Sequence, residues 1–401
     1  MTERLMYILE SKPMFGGKAF PLESKMGSRE RMLKALDLGE PDMMPVAPYV
    51  GSWYAPRLCG LRISEYTLGN NRKRAEILME AQRKFGYDWI MAGEGHPHGW
   101  RRTVRIRDAG SSYLVINKHN GTTRVFPKDD VPHTPFGEYK FEDVEKIPIQ
   151  DHRDILRSGA FEPVETISKR VGKKILVSHG VTCPWSTSRR WTGLIEWIKA
   201  LYRTPDLPEK VMKHAFEHNL EHAKASVEAG AQALWVEEGS VGTDTIPPKF
   251  YEKLAFPYEY QFIRKLRELG VPAILSVTGN VMPILDKIIE TNADAHHFEE
   301  SKKGFAIDVS QIRERLRGRK CFFVPFDQVN LLRTGNLEAV RNGVIDIIWK
   351  TAPGGGVVLS TGSPVLRDTP VRNFEMMIRT ARAVGTYPIQ LQNPKRHDVA
   401  Y

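Results

Sequence analysis

Leu234-Trp235-Val236-Glu237-Glu238 is an apolar run that stops at two carboxylates, and the recurrence of this pattern decides the fold. Val46-Ala47-Pro48-Tyr49 and Trp89-Ile90-Met91 precede it, the second running into Glu94 and His96. Ile175-Leu176-Val177 leads to His179. Downstream, Ala273-Ile274-Leu275 reaches Ser276, Thr278 and Asn280, while Ala293 to Ala295 reaches His296-His297 and Glu299-Glu300. Phe322-Phe323-Val324 ends near Asp327, and Val357-Val358-Leu359 ends at Ser360-Thr361. Stretches with helical periodicity separate most of these runs. Strands apolar throughout and alternating with helices predict a parallel sheet buried on both faces. Eight such units predict an α/β fold of the (β/α)8 TIM-barrel type, with its active site at the C-terminal ends of the strands. The polar residues that close each run are therefore the place to look for chemistry.

The chain has 401 residues, 41% of them hydrophobic, which exceeds the usual barrel length and predicts an insertion. That insertion is expected at about residues 100–130, after the second barrel strand. There Thr103 to Ile106, Tyr113 to Asn117 and Thr122 to Phe126 alternate at period two, with Asn120-Gly121 as a hairpin turn. A β-hairpin in that position extends over the active-site face as a lid. Residues 1–27 read as an irregular arm, 28–386 as the barrel and 387–401 as a tail. Ser28 is expected to cap the first helix. Cys59, Cys183 and Cys321 are scattered and odd in number, which suits a reducing cytoplasm better than a disulfide framework. The N-terminus does not read as a signal peptide, and no run is long enough to span a bilayer. A net charge of +10 raises the question of nucleic acid, but the basic residues are spread rather than clustered. A docking surface for an acidic protein or an anionic substrate is the better reading.

The ordered series Arg29-Glu30-Arg31-Met32, Pro41-Asp42, Pro45-Val46, Leu275-Ser276-Val277-Thr278-Gly279-Asn280, Pro283-Ile284-Leu285 and Ala352-Pro353-Gly354-Gly355-Gly356 leads to Ser360-Thr361-Gly362-Ser363. It resembles the uroporphyrinogen decarboxylase superfamily over almost the whole barrel. That resemblance implies either porphyrinogen decarboxylation or corrinoid-dependent methyl transfer, and a homodimer. The decarboxylase branch grips substrate carboxylates with an Arg-rich segment after the first strand, whereas Ala47 to Tyr54 contains no Arg. The methyltransferase branch holds zinc with His-x-Cys after one strand and Cys after another, to activate a thiol. The matching positions here are Ser276, Thr278 and Ser363, so the family zinc pattern is absent.

The resemblance then implies an enzyme at the other end of the pathway, taking a methyl group from a small methylated donor to a Co(I) corrinoid. A methoxylated aromatic is the preferred donor, so the reaction would be an O-demethylation. The sequence carries no corrinoid-binding Asp-x-His-x-x-Gly, so a separate corrinoid protein is the expected partner. Cleaving an ether requires a proton donor or Lewis acid at the oxygen. Glu94, His179, Glu237 and Asp327 are the expected catalytic residues, with Glu238 and His296 as further acids. Tyr49, Trp53, His96, Trp185, Ser276, Asn280 and His296 are expected to bind the substrate. The alternatives are a decarboxylase-like lyase and a non-catalytic corrinoid or tetrapyrrole binder.

Other patterns weigh less. Asp294, His296, His297, Glu299, Glu300 and Cys321 suggest a replacement zinc set, although neighbouring side chains on a strand point opposite ways. His214-Ala215-Phe216-Glu217-His218 matches a metalloprotease motif, yet with His222 it reads as a solvated helix face on the outer ring. Gly354-Gly355-Gly356 precedes a strand and reads as a tight helix-to-strand turn rather than a phosphate loop.

Overall fold

The computed structural model describes residues 25–133, 136–302 and 304–389. Seven parallel strands form a curled sheet in the order β1 (Trp89–Ala92), β5 (Leu176–Thr182), β6 (Ala233–Glu238), β7 (Ala273–Val277), β8 (Ala295–Phe298), β9 (Cys321–Phe326) and β10 (Val357–Thr361). These strands are buried almost throughout, as sheets covered on both faces require. Most of the terminal arm and most of the tail expected from the sequence lie outside the described residues.

Among the described residues seven barrel strands form where eight were expected. Residues 45–49 run extended between the two edges without becoming a full strand. Leu359 donates to the Pro45 carbonyl (2.8 Å), Ala47 to Leu359 (2.8 Å), and Asp88 to Val46 (2.7 Å). A single parallel bridge, Val46 to Leu359, is all the ladder that results. Pro45 and Pro48 have no N–H to donate, and that removes the bonds a complete ladder would need. The segment is instead fixed by charge. Asp88, fully buried at the start of β1, accepts from the Val46 amide (2.8 Å), Arg31 Nη1 (2.7 Å) and Arg382 Nη2 (2.7 Å). Arg31 also donates to Asp42 (2.8 Å). The first helix and the last are thereby tied to the place where the sheet edges meet.

Helices α1 (Ser28–Leu36), α2 (Asn71–Phe85), α3 (Glu162–Val171), α4 (Pro184–Thr192), α5 (Leu194–Arg203), α6 (Asp206–Glu228), α7 (Phe256–Arg267), α8 (Val309–Leu316), α9 (Leu337–Thr351) and α10 (Val371–Val384) accompany the sheet. Helix α2 shows why such segments start and stop where they do. The Asn70 side chain accepts from the Lys73 amide, Arg83 and Lys84 occupy the last turn, and Gly86 closes it in the left-handed conformation. Helix α1 differs from expectation. Gly27 occupies the cap position, and Ser28 is the first helical residue with no side-chain cap. The Gly354-Gly355-Gly356 turn between α9 and β10 has positive φ at all three residues. A Cβ on Gly355 would sit 2.4 Å from the Gly39 carbonyl oxygen, so only glycine allows that approach.

The inner face of the curl is filled by Trp89, Trp235, Phe323 and His297, whose rings meet at 4.7–6.0 Å. On β6, therefore, Trp235 and Glu237 point inward while Val236 and Glu238 point toward the helices. Between β1 and β5 the chain makes a three-stranded antiparallel sheet of β2 (Val104–Asp108), β3 (Ser112–Asn117) and β4 (Thr123–Pro127).

Candidate active site

A cavity of about 590 Å³ opens at the C-terminal end of the sheet. Tyr49, Trp53, Glu94, His179 and Glu237, all expected site residues, line it. Arg124, Phe126, Val131, Pro132 and His133 face it from β4 and the segment that follows.

Tyr49 donates its phenolic hydrogen to Glu237 Oε1 in a very short contact. Tyr49 also packs against Trp53 (5.4 Å, edge-on) and Trp235 (5.0 Å), so the acidic pair is walled by aromatic rings. Burial raises the Glu237 carboxyl above the usual carboxylate range, and the Tyr49 bond and Arg190 offset only part of that. Burial, with the Glu237 charge, also pushes the Tyr49 phenol well up, so it stays protonated.

The second acid behaves oppositely. Burial alone would raise Glu94, but the His222 hydrogen bond first, with the neighbouring His179, His222 and His218 rings, more than offsets it, leaving the carboxyl lowered. Many protein atoms surround Glu94, yet its carboxylate is 44% exposed because it opens onto the cavity. His222 Nδ1 lies 3.4 Å from Glu94 Oε1, and the His218 ring stacks on His222 at 4.7 Å. The solvated-face reading of His218 and His222 is thus corrected: the row turns toward the end of β1. A helix in the outer layer still has one face against the strands, and these residues are on it. His214 Nε2 donates to the Ile147 carbonyl (2.8 Å).

His179 is fixed by Ser226. The Ser226 hydroxyl donates to the His222 carbonyl (2.8 Å), which leaves its oxygen to accept from His179 Nδ1 (2.9 Å). Burial lowers the His179 pKa, so the ring is neutral with Nε2 bare. In this form Nε2 can accept a hydrogen bond, whereas the acid role expected from sequence needs a proton on it.

Several expected residues lie elsewhere. His96 stacks on Trp100 (3.5 Å) and sits against the Thr67 carbonyl and Arg74. Burial and the Arg74 charge lower its pKa to about 4. Trp185 is buried against Trp197 behind the sheet. Asp327 caps the turn that follows β9, accepting from the Asn330 amide (2.8 Å) and side chain (3.0 Å). His296 points outward on β8 and is completely buried. Burial, then Lys320, brings its pKa down to about 3. Ser276 donates to His297 Nδ1 (2.9 Å), whose Nε2 donates to the Thr361 carbonyl (2.9 Å). The Asn280 amide donates to Asp244 (2.6 Å). Glu238 points behind the sheet, away from the cavity.

The zinc positions implied by the resemblance hold hydroxyls already in use, since Ser363 donates to Glu300 (2.9 Å) and Ser276 to His297. Hydroxyls are poor zinc ligands beside the usual Cys, His and carboxylate set, and these residues do not fit the metal. The replacement set of Asp294, His296, His297, Glu299, Glu300 and Cys321 does not converge among the described residues.

Arg74, Tyr66 and Thr67 also line the cavity and were missed. Arg74 gave one signal, being a charged residue on the apolar side of α2 beside Ala75, Ile77 and Leu78. Its guanidinium is consumed by the carbonyls of Thr67 (2.6 Å), Glu94 (2.8 Å) and Gly69 (3.3 Å), so it positions backbone rather than substrate.

The family model for uroporphyrinogen decarboxylase (URO-D) matches residues 109–384. The chain belongs to the uroporphyrinogen decarboxylase family. Curated relatives include the methylcobamide:CoM methyltransferase MtbA of Methanosarcina acetivorans, 22% identical over 60% of this chain and 68% of that protein. A uroporphyrinogen decarboxylase of Trichodesmium erythraeum is 22% identical over 56% of this chain and 63% of its own length. In structure, a methyltransferase from Methanosarcina mazei superposes with a TM-score of 0.70 at 18% identity, covering 89% of this chain and 99% of the other. That likeness establishes a shared fold. Among the described residues no helix is long and apolar enough to cross a membrane.

Proposed function

We infer that this member of the family is a methyltransferase that takes a methyl group from a methoxylated aromatic donor to the Co(I) corrinoid of a partner protein. The observation that carries the reading is the Tyr49–Glu237 pair, a phenol hydrogen-bonded to a carboxyl that burial raises, facing an aromatic cavity that lacks the family's thiol-activating ligands. The site is read as the mouth of a (β/α)8 barrel closed by residues 45–49, with the insertion as its lid.

The corrinoid supplies the electron pair that takes the methyl group. As the carbon–oxygen bond breaks, its electrons go to the ether oxygen, and a free phenolate would leave with the basicity of a group of pKa about 10. Glu237 delivers a proton to that oxygen and becomes a carboxylate, with Tyr49 donating to it. Solvent restores the proton after the phenol departs. Trp53, Phe126 and Tyr49 hold the ring and exclude water. Glu94, ionised, and Nε2 of His179 are acceptors that orient a hydroxyl of the donor. Arg124 offers a cation to a carboxylate on the ring.

The decarboxylase reading fares worse at this cavity. A porphyrinogen with eight carboxylates needs several free cations, and of the arginines that line the cavity Arg74 is already consumed. The test is anaerobic absorbance of Co(I) cobalamin with the purified protein and methoxybenzoates, methoxyphenols, methanol, methylamines and methyl thioethers. Methylcobalamin formation with the methoxylated aromatics is expected. Turnover with another donor class would replace the substrate assignment, and loss of carboxyl groups from uroporphyrinogen without methyl transfer would overturn the reading.

A further inference from the structure

Behind the sheet, on the side of β6 opposite Glu237, lies a second group of reactive side chains that methyl transfer does not use. Cys183 follows β5, Glu238 ends β6, and Glu259 sits in the first turn of α7. All three are buried, at 0%, 1% and 0% exposure, and one donor atom of each lies within 4.8 Å of the others. Glu238 Oε1 accepts from Ser186 Oγ (2.5 Å) and Glu259 Oε1 from the Tyr251 hydroxyl (2.9 Å). The second oxygen of each carboxylate is buried with no hydrogen-bond partner. A buried carboxylate oxygen left unpartnered is costly, and two such groups side by side cannot both ionise without a cation.

We propose that Cys183, Glu238 and Glu259 form a divalent-cation site, with zinc the best match, that fastens the ends of β5 and β6 to helix α7. A thiolate with two carboxylates is a zinc donor set, and a pair of acids merely sharing a proton has no need of the sulfur. The charge also closes. Three anionic ligands, a divalent ion and the nearby Arg189 guanidinium leave no net charge in a site shut off from water. The turn of π-helix at Tyr251–Ala255, just before α7, fits a segment shaped to present Tyr251 and Glu259 to one point. By contrast, the cluster of Asp151, His152 and Glu221 is satisfied internally, through His152–Glu221 (2.9 Å) and Lys224–Glu221 contacts.

The site does not depend on the methyl-transfer reading, and its test does not use activity. Protein purified without chelators is expected to carry close to stoichiometric zinc. After chelation and cobalt(II) loading it is expected to show thiolate-to-cobalt charge-transfer absorption. In Cys183→Ser that absorption disappears while circular dichroism remains that of folded protein. Glu259→Gln, which keeps the thiol, retains a cobalt spectrum but loses metal in a gentler chelation. Protein that holds neither zinc nor cobalt, or a cobalt–thiolate band that survives Cys183→Ser, would overturn the proposal and leave the two carboxyls sharing a proton.

Discussion

Glu94 Oε1, at the end of β1, lies 3.4 Å from Nδ1 of His222 on helix α6, and this contact sets the two cavity acids apart. The histidines around Glu94 lower its carboxyl, while burial raises that of Glu237 and the Tyr49 phenol offsets only part of the rise. Two carboxyl groups facing one cavity are thereby shifted in opposite directions, which suits the accepting and donating tasks proposed for them.

Removal of the proton from that second acid should be the most damaging change. Glu237→Gln is expected to lower kcat by roughly 10²–10⁴-fold, the range for a lost general acid, with KM for the aromatic donor little changed. Steady-state methylation of Co(I) cobalamin measures both. An undiminished kcat would remove Glu237 from the mechanism.

The same group should set the alkaline limb of the pH profile. Glu237 must be protonated to act, and the Tyr49 hydrogen bond pulls its raised pKa part of the way back down. Tyr49→Phe therefore moves the alkaline limb of kcat/KM to higher pH. A limb that stays in place would mean that another group titrates there.

Glu94 predicts a shift on the acid side. His222→Ala removes the hydrogen bond and charge that offset burial, so Glu94 protonates at a higher pH than in the unaltered protein. The acid limb of kcat/KM should move upward, with folding at neutral pH retained. Superimposable profiles for the two proteins would sink the acceptor role of Glu94.

Substrate charge should be read by the insertion. Arg124→Ala is expected to raise KM for methoxybenzoates by about 10-fold, the scale of one charge-assisted pair, and to leave KM for neutral methoxyphenols unchanged. Equal effects on both donors would assign Arg124 to the lid's position rather than to recognition.

Asp88 offers a test of how the sheet edges are held. Asp88→Asn leaves the buried Arg31 and the partly buried Arg382 without their shared counter-ion, and it should cost about 3–5 kcal/mol in urea unfolding. A cost under about 1 kcal/mol, the value of an exposed pair, would show that water reaches this network.

The sequence by itself determined seven of the eight expected strands and their parallel order, while the first run, interrupted by Pro45 and Pro48, forms a single bridge. It did so because continuous apolar runs between amphipathic segments admit few other folds. The loss of the zinc ligands at Ser276, Thr278 and Ser363 was equally legible, being a matter of residue identity alone. Which polar residues face the cavity was not. Strand alternation turns Glu237 inward and Glu238 outward, and only the register against Trp235 says which is which. His96, Trp185, Asp327 and His296 carry the right chemistry at strand ends or just beyond them, yet packing, capping and burial use them up. His222 and Arg74 reach the site from helices distant in sequence, and the grouping of Cys183, Glu238 and Glu259 spans three elements. Such contacts depend on how layers stack, a property of side-chain volume and register that local patterns do not encode.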